Sequence, residues 1–460
     1  MQRLAPKTRL LLAGLLLLAG CAGERGSAAL NAARGLAEAG RYPEAIVACQ
    51  RLLAEDPDQV GANLLLGSLL MKQGQFKLAL PLCERALRLA PEEVDAHLAL
   101  GDLYVRQRRN DEAAAHYKEA IHLAPDRATP YRKLALAYLD QFRYSEVVEA
   151  LREALVREPD HAPTHYSLGL VHERQAEYEA ARAEFEQAVA LDSSYASAHH
   201  HLGEILVKLG RFQEAEASLG AALRWRPGYA ESYAKLGQVY LEQGRTGEAE
   251  EALRQAILTD PFIPEPYHRL GGMYHRQGRI DQGQEMLAAF ERLQPVAEEI
   301  TRQRSILANF ADDAEAHYNL GVLYAGQGRH QEAIREYQQT LVVFPEDASA
   351  RNNLANLYLK QQRIAEAIQE YENLLALNPR YAQGYRNLGT AYLMLRDLGR
   401  ATQAFKKAIR LAPDHAESHY NLGLLYLQQG MNTEGEAEME TYHRLLAANP
   451  TAIPPQKEAR

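Results

Sequence analysis

Apolar side chains recur along this chain at the spacing of helices rather than strands. In AHYNLGVLY, Ala316–Tyr324, the residues Leu320, Gly321 and Tyr324 stand one and three places apart, which lines them on one stripe of a helix. Almost the same nine letters, SHYNLGLLY, return at Ser418–Tyr426, 102 residues later, and 102 is three times 34. Prolines mark the same 34-residue period: Pro57, Pro91, Pro125 and Pro159, then, past Ser193, Pro227, Pro261 and Pro295. After a jump of 50 the series resumes at Pro345, Pro379 and Pro413. With that proline at the thirty-second place of each repeat, the seventh place is Leu in eleven of twelve repeats and the eighth is always Gly or Ala. The eleventh place is Tyr in eight repeats, and the twentieth and twenty-seventh are mostly Ala.

These places predict an antiparallel helix pair. The first helix carries the Leu, Gly, Tyr stripe. A turn residue at place fifteen, Gly in seven repeats, separates it from a second helix that stops before the proline. Nine glycines at place eight would each cost a helix about 1 kcal/mol relative to Ala, so close approach of the partner helix is the expected reason for them. Two short helices cannot hide their own apolar faces, and stability must come from stacking one pair on the next. The spacing of Leu, Gly, Tyr, Ala, Ala and Pro resembles the tetratricopeptide repeat. The resemblance implies an all-α, right-handed solenoid of about twelve helix-turn-helix repeats. It also implies that places 2, 5, 6, 9, 12 and 13 line a concave groove.

Eight repeats occupy residues 26–297, an insert EEITRQRSILANFADD fills 298–313, four repeats run from 314 to 449, and residues 450–460 form a tail around Pro454 and Pro455 that is expected to be disordered. The insert reads as helical and either prolongs the preceding helix or forms a separate bridge. The eighth repeat has Gly283 and Phe290, and the last has Gly435 and Tyr442, where most repeats have Ala. A bulky ring there suits the end of a stack, so two arrays meeting near residues 296–313 are expected; one continuous superhelix is the alternative. No stretch of these arrays is left for a catalytic domain. No H-E-x-x-H, Walker loop, nucleophile elbow or paired-cysteine zinc spacing occurs, so no enzyme, catalytic residue or cofactor is expected.

Charge and the N-terminus change the picture of location. A formal net charge of −9 gives no basis for nucleic-acid binding. Arg3, Lys7 and Arg9 precede an apolar run from Leu10 to Ala19, followed by Gly20 and Cys21. That run falls well short of the roughly 20 residues a membrane-spanning helix needs, and it reads as a signal peptide over residues 1–20. Leu18, Ala19, Gly20 and Cys21 resemble the lipobox of bacterial lipoproteins. The resemblance implies cleavage before Cys21, acylation of that residue with palmitate-type chains, and a lipidated spacer over 21–25. Ala22, where an aspartate would retain the protein in the inner membrane, implies the outer membrane, with the chain facing the periplasm. Cys49 and Cys83 stand 34 residues apart at one phase of the repeat, too far apart for a disulfide given its Cα limit of about 7 Å, and read as small buried apolar residues.

The candidate binding surface is a row of amides. Place six is Asn in all four final repeats, at Asn319, Asn353, Asn387 and Asn421, whereas earlier it varies through Leu65, Ala99, Lys133, Ser167, His201, Lys235 and Arg269. Such a row can donate to and accept from an extended peptide backbone whatever its sequence. It resembles the asparagine ladder of the O-linked N-acetylglucosamine transferase superhelix. Asn352 and Asn356 are expected to widen the amide surface, Tyr318 and Tyr420 to add aromatic area, and Arg386 to supply one positive charge. Asn is also a common choice at place six of such repeats, which leaves a purely structural row as the other reading. A two-carboxylate clamp of the co-chaperone kind is not expected, because the nearest set, Asn352, Asn356, Asn387, Glu417 and Asn421, lacks the basic residues. His199–His201 invite a metal reading. But His97, His165, His199, His317 and His419 all fall at place four, where an aromatic wedge is usual, so packing accounts for them and no metal is expected. The resulting expectation is a non-catalytic scaffold, lipid-anchored at the outer membrane, binding protein or peptide partners for envelope, secretion, pilus or polysaccharide-export assembly. Two alternatives stay open: the accessory substrate-recognition arm of a glycosyltransferase, and a cytoplasmic regulatory scaffold should the N-terminus not be cleaved.

Overall fold

The computed structural model describes residues 27–309 and 313–448; the signal segment, Cys21, the tail and residues 310–312 of the insert lie outside the described residues. Those described form twenty-four helices, with no strand among them. First helices such as Val94–Arg106 and Ala314–Gly326 have 13 residues, and second helices such as Asn110–Leu123 and His330–Val343 have 14.

The turn inside each pair is made the same way in all twelve repeats. Place fifteen adopts a positive φ, near 75° at the seven glycines and near 59° at Arg108, Phe142, Ala176, Gln362 and Arg396. The left-handed residue lets the next amide reach back to the carbonyl of place eleven, as Arg109 does to Tyr104 at 2.9 Å and Arg329 to Tyr324 at 2.9 Å. Where place sixteen is Arg and place eleven is Tyr, the guanidinium lies over the ring, 4.3 Å from the centroid for Arg109, Arg143 and Arg245.

Place eight explains itself in the same geometry. A Cβ on Gly101 would come within 2.3 Å of Tyr117, one on Gly169 within 2.7 Å of Phe185, and one on Gly321 within 2.6 Å of Tyr337. The side chain at place twenty-four of the second helix therefore fills the hollow that glycine leaves. Tyr117, Phe185, Tyr337 and Phe405 are consequently among the largest fully buried side chains; Tyr371, in a repeat with Ala355 at place eight, is buried as fully. Cys49 and Cys83 occupy the same place and are buried and free. Burial pushes their thiols up, to about 11 and about 12.

The chain divides into two compact units, Met1–Glu291 and Arg292–Arg460. In each, cores are shared between neighbouring repeats: Leu100 and Leu103 complete the cluster begun by Cys49, Leu66 and Cys83, and Leu320, Tyr337, Leu354, Tyr371, Phe405 and Leu422 belong to one cluster of the second unit. The insert prolongs the second helix of repeat eight, giving one helix, Ile280–Asn309, with Pro295 inside it. Proline in a helix loses a hydrogen bond and crowds the preceding turn. Here the residues after it offset that cost, because Val296, Ile300 and Leu307 pack into the core of the second unit. The rings expected at stack ends cover the fifth place of their own repeats: Phe290 lies 4.8 Å from His268 and Tyr442 lies 5.0 Å from Tyr420, centroid to centroid.

Candidate functional site

In the second unit the two central members of the amide row, Asn353 and Asn387, are held by hydrogen bonds. Asn387 donates from Nδ2 to Asn352 Oδ1 and to Asn356 Oδ1, each at 3.1 Å, and Asn356 Oδ1 also accepts from the Tyr371 hydroxyl. Asn353 Nδ2 lies 3.4 Å from the hydroxyls of both Tyr318 and Tyr337. Burial pushes the Tyr337 hydroxyl up to about 12 and raises Tyr371 further still, so both remain neutral. Asn319 and Asn421, at the ends of the row, are half-buried and make no side-chain hydrogen bond among the described residues. Two expectations are corrected. Asn352 does not widen the exposed surface, because it is only 5% exposed and serves instead to hold Asn387. Nor is Arg386 a free positive charge, since its Nη1 lies 3.1 Å from Glu417 Oε2 and 2.6 Å from His415 Nε2. Burial and that guanidinium hold His415 below its usual pKa, which suits a neutral ring accepting from Arg386. Tyr420 is half-buried and packs on Tyr442.

At two repeat junctions of the first unit the corresponding places carry charges. Asp102 accepts from Lys133 Nζ at 2.6 and 2.7 Å and from the Tyr117 hydroxyl at 2.8 Å. These are places nine, six of the next repeat, and twenty-four, the same three that hold Asn356, Asn387 and Tyr371 in the second unit. Further along, His201 Nδ1 lies 3.4 Å from Glu173 Oε2 and 3.4 Å from Glu204 Oε2. Lys208 pairs with Glu173 Oε1 at 2.7 Å and Lys235 with Glu204 Oε1 at 3.2 Å. Burial works against charge on His201, yet the two carboxylates outweigh it and push the ring up to about 9. Burial would raise Glu204, but His200, His201 and Lys235 hold it well below the usual carboxylate range. None of this was legible as a site from the sequence, because Glu173 comes from the preceding repeat.

Two other features went unread in the sequence. Place four does more than pack: His97, Tyr131, His165, Tyr267 and His419 all bond the carbonyl of the place-thirty-two proline before them, at 3.1, 3.2, 3.1, 3.0 and 2.8 Å. Asn63 and Arg351 do the same with different chemistry, and His199 does so with the Ser193 carbonyl. The shared property is a donor of suitable reach, and the run of Asn, His, Tyr and Arg at that place was the available signal. The second is a pocket of about 290 Å³ in the first unit, walled by Leu136, Leu139, Leu170 and Val171 and flanked by Arg132 and Arg174. It borders Ser167, the smallest polar side chain at place six, and Leu136 beside it is 49% exposed.

A family model described as tetratricopeptide repeat matches residues 64–128, 274–350, 325–382, 352–416 and 386–453, more than half of the chain. A second with that description matches 36–79 and 206–270, and one described as TPR repeat matches 177–210. No curated protein matches. Solved structures similar to the chain include MamA from residue 41 to its end, from Desulfovibrio magneticus RS-1, at 23% identity over 36% of this chain and 95% of that one, with a TM-score of 0.35. YrrB, a TPR protein with an unusual peptide-binding site, is similar at 23% identity over 40% of this chain and 96% of that one, with a TM-score of 0.37. In the Naa15/Naa10 complex bound to HypK-THB the match is 17% identical over 91% of this chain and 68% of that one, with a TM-score of 0.33. None of these likenesses bears on which partner the chain takes.

Proposed function

Because this chain belongs to the tetratricopeptide repeat family, we propose that it binds extended segments of partner proteins along the inner-face places of its repeats, and does so lipid-anchored at the periplasmic face of a bacterial outer membrane. The family's repeats are protein-interaction modules and generally non-catalytic. The observation that carries the reading is the amide network of the second unit. Asn353 and Asn387 come from successive repeats, are half-buried, and are held in fixed rotamers by Tyr318, Tyr337, Asn352 and Asn356. An amide whose NH₂ is held by the protein keeps carbonyl lone pairs for a peptide N–H, with little rotamer entropy left to lose on binding. The pocket beside Ser167 would accept an apolar side chain of such a segment, with Arg174 nearby to favour an acidic neighbour.

No helix among the described residues is long and apolar enough to cross a membrane; on this reading attachment is through lipid on Cys21. Envelope, secretion, pilus or polysaccharide-export assembly is the setting we infer from that anchor. Two experiments test the two halves. A photo-crosslinker at Tyr318 should capture a partner segment in intact cells. A synthetic peptide of that segment should then bind the Asn319→Ala, Asn353→Ala, Asn387→Ala, Asn421→Ala variant more than about tenfold more weakly, with helicity unchanged. Equal affinity would remove the peptide-binding role. Mass spectrometry of the mature N-terminus should find acylated Cys21, and an intact Met1 would remove the anchor.

A further inference from the structure

We propose that Glu173, His201 and Glu204 form a binding site for a divalent d-block metal ion of the zinc type on the inner-face places of repeats five and six. The site is independent of the amide network and lies in the first unit. Its evidence is the spacing of three ligand atoms. Bonds of about 2.0–2.2 Å to a tetrahedral zinc ion place neighbouring ligand atoms roughly 3.3–3.5 Å apart. His201 Nδ1 is 3.4 Å from the Oε2 atom of each glutamate, and the three ligand atoms lie within 4.8 Å of one another. Those same distances are long for hydrogen bonds, and Nδ1, though buried, makes none. A ring nitrogen at ion-pair distance from two carboxylate oxygens, too far for a strong hydrogen bond to either, is placed to share a cation with them.

The surroundings are arranged as metal sites usually are. Each glutamate turns its other oxygen, Oε1, to a lysine, Lys208 for Glu173 and Lys235 for Glu204, and this fixes Oε2 toward His201. The imidazole is held from the side by Phe185, stacked at 5.7 Å, and by Tyr166 at 5.7 Å. His200 Nε2 also lies 3.4 Å from Glu204 Oε2, but its Nδ1 bonds Ser232 Oγ at 2.9 Å, which ties that ring to the neighbouring repeat. With three protein ligands a tetrahedral ion keeps one position open for water or for a side chain of a bound partner. The two lysines offset the carboxylate charges, so the site is weaker than a closed structural zinc site. Metal entry releases the His201 ring proton to solvent, and the aquated ion sheds water molecules as the three protein ligands coordinate it.

The test is calorimetric titration of the chelator-treated full chain with zinc chloride at neutral pH in a non-coordinating buffer. One saturable site is expected. It should weaken by more than about tenfold in His201→Gln and in Glu204→Gln, and stay unchanged in His199→Gln, whose ring bonds the Ser193 carbonyl. Since a variant can fail to fold, cobalt(II) added to the parent chain supplies a second measurement. The visible absorption of a tetrahedral cobalt centre should appear and then vanish as zinc displaces it. Absence of saturable zinc binding and of the cobalt band in the parent, or zinc binding that His201→Gln leaves intact, would overturn the site.

Discussion

The two units place the same three positions in the same arrangement and fill them differently. In the first, Asp102, Lys133 and Tyr117 make an ion pair buttressed by a phenol; in the second, Asn356, Asn387 and Tyr371 make an all-neutral triad. The repeat backbone thus fixes where polar groups meet and leaves their charge to be chosen repeat by repeat. Charged triads respond to salt and to the sign of a ligand, whereas amide triads respond to neither strongly. If the inner face binds partners as proposed, the Asp102 triad would discriminate among them by charge, and the Asn356 triad would hold peptide backbone without regard to sequence.

The largest effect expected tests whether both faces depend on the same helix contact. Gly169→Val in the first unit and Gly321→Val in the second each drive a side chain into an aromatic ring and should destabilise the chain by about 2 kcal/mol. Thermal melts in which only one of them lowered the transition would break the equivalence. Exchange of the triads themselves sharpens it. Asp102→Asn with Lys133→Asn should change stability by less than about 1 kcal/mol while abolishing the local salt dependence, because the Tyr117 hydroxyl keeps its acceptor. Melts at low and high salt would read this, and a loss well beyond that size would mean the charges, not the places, hold the repeats. Smaller again is the turn. Ala176→Gly and Gln362→Gly, one in each unit, relieve left-handed backbone and should each stabilise by about 0.5 kcal/mol, measurable by urea denaturation. The smallest response belongs to the cysteines, which only the first unit's described residues contain. With their pKa values pushed up to about 11 and about 12, Cys49 and Cys83 stay thiols as pH rises to 8, and thiol labelling mapped by mass spectrometry should miss both until the chain unfolds.

Much of this architecture is legible in the sequence. The period, the Leu and Gly stripe and the need for stacking follow from residue spacing, because each repeat solves one packing problem and states its solution in the same letters. The left-handed turns at Arg108 and Phe142 were not legible, since neither residue favours that conformation and the repeat imposes it. The positions of Asn352 and Asn387 could be read, but not that one amide is spent holding the other; that depends on a stacking offset of one repeat. The same offset hid Glu173 from His201. The pocket beside Ser167 was hidden because its walls come from successive repeats, Leu136 and Leu139 from one and Leu170 and Val171 from the next.

The ties from place four to the preceding carbonyl stitch one joint after another within each unit, and no single stitch carries the whole. Pulled lengthwise, such a chain should give way joint by joint, since each repeat contacts mainly its neighbours. Tethered to a surface at one end and to cargo at the other, it would act as a spring with graded slack, and single-molecule stretching should trace a series of small steps instead of one rupture.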